Sequence, residues 1–202
     1  MPEADLIGRA AQILKKGGVI GYPTETVYGI GCSAFDSQAV SRVSALKHRD
    51  PRKALILIAA DVLQVADLVE TIPDVADRLI ETFWPGPLTI VFKASERLQE
   101  FAFRKSKTIA VRVPDSLICL ALLKSCGFPL VSTSANRSGE AESTYAHEVS
   151  RVFGDELDLI IDGGETPSKI PSTVVDVTRT PIRIIRQGAI SEPEISTVLD
   201  VY

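Results

Sequence analysis

Long apolar runs are missing from this 202-residue sequence. Stretches such as 54–60, ALILIAA, fall far short of the roughly 20 residues that a bilayer-spanning helix requires, and the chain opens on Glu3 and Asp5 where a secretory leader would carry basic residues. A cytoplasmic protein is expected. Cysteine is scarce: Cys32, Cys119 and Cys126 are odd in number, lack Cys-x-x-Cys spacing and sit among apolar neighbours, which points to reduced core thiols and away from disulfides. His48 and His147 are the only histidines, with no acids or thiols at ligand spacing around them, so no metal set is legible. An excess of positive charge is absent as well. Lys plus Arg number 22 against 26 Asp plus Glu, a net charge of −4, so the chain is not built to coat nucleic acid by bulk charge. Aromatic residues make up 6% and do not interleave with the cations, which speaks against stacking on single-stranded bases.

What is there is an ordinary globular composition, 45% hydrophobic and 24% charged. The length suits one domain over residues 1–202, large enough to bury roughly 70% of its unfolded surface. Its positive charge is concentrated in residues 47–53, KHRDPRK, where Lys47, Arg49, Arg52 and Lys53 surround the single acid Asp50. An acidic protein with one such loop is arranged to hold a compact anion at that place.

Leu6, Ile7, Ala10, Ala11, Ile13 and Leu14 recur at helical spacing, Gly17-Gly18 ends that helix, and a strand follows at 19–22. Asp36 or Ser37 caps a second helix carrying Val40, Val43 and Leu46 on one face. The run ALILIA reads as a buried strand, and helices over 61–70 and 73–83 lead to a tight turn at Trp84-Pro85-Gly86-Pro87. Further strands are expected at 88–92, 108–113, 130–133, 159–162, 173–177 and 182–186, with helices near 116–126 and 145–153. Several neighbouring strands have no helix between them, which predicts an α/β domain on a twisted, mixed parallel and antiparallel sheet flanked by helices.

Two familiar nucleotide signatures fail on context. Gly29-Ile30-Gly31-Cys32-Ser33-Ala34 fits G-x-G-x-x-G/A, but the next helix is capped only at Asp36 or Ser37, so the third small residue opens no helix. Residues 163–169, GGETPSK, lack the second glycine of a phosphate loop and hold a proline inside it. No arrangement for a covalent nucleophile stands out.

What remains is a set of polar stretches at strand ends: PTET at 23–26, KHR at 47–49, Arg112 within AVRVP, STSAN at 132–136, PST at 171–173 and RQG at 186–188. Each alone fits a cap, a turn or an exposed face. Together and in this order, with YPTETVYGIG, KALILIAA, WPGPLTIVF, VRVP and PLVSTSANRSGE, they resemble the YrdC/Sua5 family of threonylcarbamoyl-AMP synthases over residues 6–190. The paired signature Lys-x-Arg and Ser-x-Asn stands here as Lys47-His48-Arg49 and Ser134-Ala135-Asn136. The short length and KALILIAA are similar to the single-domain bacterial TsaC branch.

The resemblance implies a YrdC-like fold with its ligand site in a concave basic groove. It also implies a nucleotidyltransferase that makes threonylcarbamoyl-adenylate and pyrophosphate from L-threonine, bicarbonate or CO2, and ATP. Partner proteins of the TsaD/TsaB/TsaE type would pass the group to adenosine 37 of tRNA, the t6A modification. ATP is a substrate in this scheme, Mg2+ is carried by the nucleotide, and no protein-held metal is expected. By resemblance, Lys47, Arg49 and Asn136 are catalytic. Lys47, Arg49, Lys53, Thr108, Ser134, Asn136 and Arg186 bind ATP, and Thr26, Arg112, Ser132 and Ser172 bind threonine. The residue types suit the chemistry, because attack at the α-phosphate calls for concentrated cations and a guanidinium can grip a carboxylate in bidentate fashion. No tuned general base stands out, so catalysis is expected from positioning and charge stabilisation. Gly29 and Gly31 are expected to let the backbone run close beneath bound ligands. Ile58 stands where longer relatives carry a threonine-contacting His. A rival reading uses the same basic groove in a non-catalytic protein that binds double-stranded RNA or tRNA, and weak tRNA contact is compatible with either.

Overall fold

Capping residues and apolar spacing set most of the element boundaries in a computed structural model that describes residues 4–48, 55–99 and 107–200. α1 (Ala4–Lys15) ends where Gly17 turns at φ 82°, and β1 (Ile20–Pro23) and β2 (Tyr28–Ser33) then form a hairpin. The Asp36 carboxylate accepts from the N–H groups of Gln38 and Ala39 and so starts α2 (Ser37–Leu46), which ends at Lys47. β3 (Ile56–Ile58) leads to α3 (Val62–Ala66), capped by Asp61, and to α4 (Asp74–Phe83), which follows Pro73. After β4 (Leu88–Lys93), the short α5 (Glu96–Gln99) and β5 (Thr108–Arg112), α6 (Leu117–Cys126) runs from a Ser116 cap to a left-handed Gly127. β6 (Leu130–Ser134), α7 (Ala146–Phe153), β7 (Leu159–Ile160), β8 (Thr173–Asp176), β9 (Arg183–Arg186) and α8 (Glu192–Asp200) complete the described chain.

Several elements depart from expectation: β2 and the short α5 were not among the expected elements, and β7 ends at Ile160 where a strand to 162 was expected. The helix expected over 61–70 stops at Ala66, because Leu68 and Val69 turn into the core and Val69 bridges to Ala94. α8 was not anticipated: Ile195 is its one fully buried residue, so its apolar stripe is faint.

The nine strands form one sheet in the order β7-β1-β2-β6-β3-β5-β4-β8-β9. β1/β7, β3/β5 and β4/β8 pair in parallel and the other neighbours antiparallel, the mixed sheet that the helix-free strand connections predicted. Register sorts the side chains onto two faces. Ile30, Leu57, Ile90, Val111, Val131 and Val175 share one face, which is packed against residues of α2, α4, α7 and α8. On the other face α1 and α6 bury Ile20, Tyr22, Ile58 and Leu130 and go no further. Beyond them the sheet presents Gly29, Ser132, Ser134, Ile56 and Arg112 to a cavity. A site built on strands whose reverse side is close-packed is held with little slack. No helix among the described residues is long and apolar enough to cross a membrane.

Candidate active site

The cavity on the open face measures about 120 Å³ and is lined by Thr24, Thr26, Ile56, Ile58, Arg112, Ser132, Ser134, Glu142, Ser172 and Arg186, among others. All four residues expected at a threonine site, Thr26, Arg112, Ser132 and Ser172, meet here and are buried. Pockets for larger organic ligands run to about 300–1,000 Å³, so this volume suits an amino acid and leaves a nucleotide to the open groove. A larger hollow of about 580 Å³ lies beyond Pro23 and the start of α6, but Glu25, Asp115, Asp162 and Glu165 line it. Its charge disfavours anions.

Each hydroxyl in the cavity has a direction. Thr24 Oγ1 donates to the Val27 carbonyl at 2.7 Å and lies 2.9 Å from Thr26 Oγ1. A hydroxyl has one proton, so Thr26 donates to Thr24 and accepts from Arg112 Nη1 at 3.1 Å. Thr26 therefore shows a ligand a lone pair. On Arg112, Nε donates to the Gly86 carbonyl at 3.0 Å and Nη2 pairs with the Glu25 carboxylate. Nε is thus committed to the protein and Nη2 faces a carboxylate, while Nη1, with one N–H on Thr26, keeps a second N–H for a ligand.

Ser132 has the opposite polarity. Its Oγ accepts from Tyr22 Oη at 2.8 Å and keeps its own proton for a ligand. Burial above all pushes the Tyr22 phenol well above its ordinary pKa, so it stays a neutral donor. The glycines opposite make this possible: a Cβ on Gly31 would sit 2.6 Å from the Tyr22 hydroxyl and 2.3 Å from the Val131 carbonyl. At Gly31 the close approach is thus to the protein's own ring, whereas Gly29 lines the cavity as expected.

The two halves of the paired signature meet at the cavity's edge. Lys47 Nζ donates to the Ser134 carbonyl at 2.7 Å and to Asn136 Oδ1 at 2.5 Å, and Ser134 Oγ donates to the same Oδ1 at 2.7 Å. Asn136 is oriented in turn by its Nδ2, which donates to the Glu140 carbonyl at 2.7 Å. Arg49 and Lys53, like Arg52, lie outside the described residues. Thr108 is not brought to the cavity: it is exposed, on Arg112's face of β5 but four positions earlier, about 13 Å along the strand.

Arg186 enters from β9. Its Nε and Nη2 donate to the Ser172 carbonyl at 3.1 and 2.7 Å, Nη2 also reaches Ser172 Oγ at 3.0 Å, and that Oγ lies 2.8 Å from Thr89 Oγ1. Desolvation lowers the Arg186 pKa from its ordinary value, with Glu142 acting against the shift and Arg112 adding to it. Among the described residues two guanidiniums thus reach one cavity, Arg112 faced by Glu25 from behind the wall and Arg186 sharing the cavity with Glu142, and Lys47 stands at its edge.

Tyr22, Gly86 and Glu142 escaped the sequence reading, and Thr24 and Glu25 entered it only as members of PTET, without roles of their own. Tyr22 had a signal: it faces Gly29 across the β1–β2 hairpin, the arrangement in which an aromatic ring covers a glycine. Glu25 had none, because nothing local links it to Arg112. The three cysteines are free and buried, and burial pushes Cys32 up to about 12, Cys126 up to about 11 and Cys119 upward as well.

A mixed α/β sheet, covered by helices on one face and by α1 and α6 on part of the other, leaves a small cavity lined by Arg112 and Arg186, the architecture of a small-ligand domain. Comparison supplies the particular family. A family model, Sua5/yciO/yrdC, described as telomere recombination, matches residues 12–188, and the chain belongs to that family. It is 42% identical over 169 residues to a threonylcarbamoyl-AMP synthase of Pseudomonas aeruginosa, covering 83% of this chain and 90% of that one. A Pyrococcus abyssi protein of the same name is 39% identical over 190 residues, 94% of this chain but 56% of the relative, so the chain spans little more than half of that longer protein. Among solved structures, P. abyssi Sua5 complexed with L-threonine is similar with a TM-score of 0.93 and 38% identity, covering 98% of this chain and 58% of that one. E. coli YciO is similar with a TM-score of 0.86 and 31% identity over 95% of this chain and 93% of that one.

Proposed function

We propose that this chain is a threonylcarbamoyl-AMP synthase acting in the cytoplasm as a single domain, joining L-threonine, bicarbonate or CO2, and ATP with release of pyrophosphate. The observation that carries the reading is the convergence of Thr26, Arg112, Ser132 and Ser172 on one amino-acid-sized cavity, with Lys47, Ser134 and Asn136 bonded together at its edge. Ser132 and Arg112 Nη1 are the donors for the threonine carboxylate. Thr26 accepts from its ammonium or hydroxyl, and Ile56 and Ile58 form the apolar wall against its methyl group. Ile58 thus gives van der Waals contact where longer relatives have a His. ATP then lies over the rest of the groove, its phosphates toward Lys47, Arg49, Lys53 and Asn136 and its remainder toward Thr108 and Arg186. Among the described residues the cavity offers one carboxylate, Glu142, which fits Mg2+ held by the phosphates better than a protein-built metal site. These residues supply position and charge, and no side chain is assigned as a base.

The adenylate passes to transferase proteins that act on tRNA; direct RNA binding is not required by the reading. Purified protein given ATP and bicarbonate should release pyrophosphate with threonine, less with serine, and little with no amino acid. Release independent of the amino acid, or none from folded protein, overturns the assignment. Arg49→Ala should lower the threonine-dependent rate by ~10²-fold, the scale of one charge-stabilising donor.

A further inference from the structure

Glu25 sits between the two threonines of PTET, yet it does not line the ligand cavity. It lines the neighbouring acidic hollow, while Arg112 lines the cavity, so the Glu25–Arg112 ion pair crosses the wall between the two. The Glu25 side chain is 13% exposed, a depth at which a carboxylate is costly unless a cation faces it. Arg112 then has three different partners: Nε and Nη1 donate hydrogen bonds to Gly86 and Thr26, and Nη2 faces the Glu25 carboxylate as an ion pair without a hydrogen bond. A planar fork held on two nitrogens has no rotation left about its own axis, and the third nitrogen points where the first two dictate.

We propose that Glu25 is a positioning residue: with the Gly86 carbonyl it locks the Nε–Nη2 edge of Arg112, so that Nη1 and Thr26 Oγ1 present a donor and an acceptor side by side to the ligand. The identity of that ligand, the head group of an amino acid, rests on the reading under Proposed function. Glu25→Gln keeps the size and one acceptor but removes the charge that holds Nη2. Glu25→Asp keeps the charge and withdraws it by one methylene.

The test has two independent readouts. In 15N-labelled protein the Arg112 Nε–H, bonded to Gly86, should give a slowly exchanging cross-peak that Glu25→Gln broadens or loses. In pyrophosphate release, Glu25→Gln should raise the threonine KM about 10- to 50-fold and the ATP KM less than about twofold, with Glu25→Asp in between. In an Arg112→Lys background Glu25→Gln should add less than about twofold, because it acts through the guanidinium. An unchanged cross-peak and threonine KM, equal rises in both KM values, or full additivity with Arg112→Lys would each overturn the proposal. Should Glu25→Gln fail to fold, Glu25→Asp decides by the same readouts. Absence of threonine-dependent turnover in the unsubstituted protein sinks the synthase reading alone, since the cross-peak still reports whether Glu25 holds Arg112.

Discussion

Arg112→Lys tests the cavity most directly. A lysine carries three donors on one atom and cannot serve Gly86, Thr26 and Glu25 along the three directions of the guanidinium plane. If its ammonium settles on Glu25, the Gly86 carbonyl and the Thr26 oxygen lose their cationic donor, and the N–H that Nη1 offers a ligand goes with it. A hydrogen bond from a charged donor is worth about 1.5–3 kcal/mol, and one such contact to threonine is at stake. A loss of about 2–3 kcal/mol corresponds to a threonine KM about 30- to 150-fold higher, since each 1.4 kcal/mol is roughly tenfold. The ATP KM should move less than about threefold, because Arg112 bonds none of Lys47, Ser134, Asn136 or Arg186. Pyrophosphate release at saturating ATP with varied threonine, and the reverse, gives both constants, and a thermal melt shows that the variant is folded. A folded variant with an unchanged threonine KM refutes the reasoning, as do equal rises in both constants.

Thr26→Val removes the lone pair offered to the ligand and should raise the threonine KM about tenfold or more, whereas Thr26→Ser should stay within about threefold; steady-state kinetics separates the two. Asn136→Leu strips Lys47 and Ser134 of their shared acceptor, and both turnover, by ~10²-fold, and the melting temperature, by several degrees, should fall. Burial opposes ionisation of Asp158, but the Arg42 guanidinium and the Val19 N–H at 2.7 Å outweigh it and hold its pKa below the ordinary carboxylate value. A depressed carboxylate stabilises the fold above its unfolded pKa of about 3.9, and that contribution is lost as pH falls through the folded value. Asp158→Asn should therefore flatten the melting-temperature curve below about pH 4, and an unchanged curve counts against the linkage. With their thiols pushed upward by burial, Cys32, Cys119 and Cys126 should react with a thiol reagent at pH 8 far more slowly in the native protein than in denaturant.

Elements with a local cause were legible. The Asp36 cap, the Gly17 terminator and the apolar run of β3 are decided within a few residues, and the elements formed where those signals stood. The convergence of Thr26, Arg112, Ser132 and Ser172 on one cavity was legible only as a family pattern, since each member alone fits a turn or a cap. What stayed hidden were relations between distant residues: Tyr22 donating to Ser132, Glu25 against Arg112, and the acidic hollow beside the cavity. Register and topology create these contacts, and no local propensity encodes them. Donor direction was equally invisible, for Thr26 and Ser132 look alike in sequence and become acceptor and donor only through Thr24 and Tyr22.

Net charge says little about such a site, because charge here is sorted by place. The chain carries −4 overall, yet among the described residues Arg112 and Arg186 line the cavity with Glu142, while Glu25, Asp115, Asp162 and Glu165 gather in the adjoining hollow. Gripping a duplex needs cations laid along a surface, each neutralising a separate phosphate. Two guanidiniums converging on about 120 Å³ suit something else, one small anion at one point. Glu25 stands at the seam, near enough to hold Arg112 and outside the space the ligand would fill. The acidic side thus helps to aim a cation whose charge is used on the other side, an arrangement that favours positioning a reactant over holding a polymer.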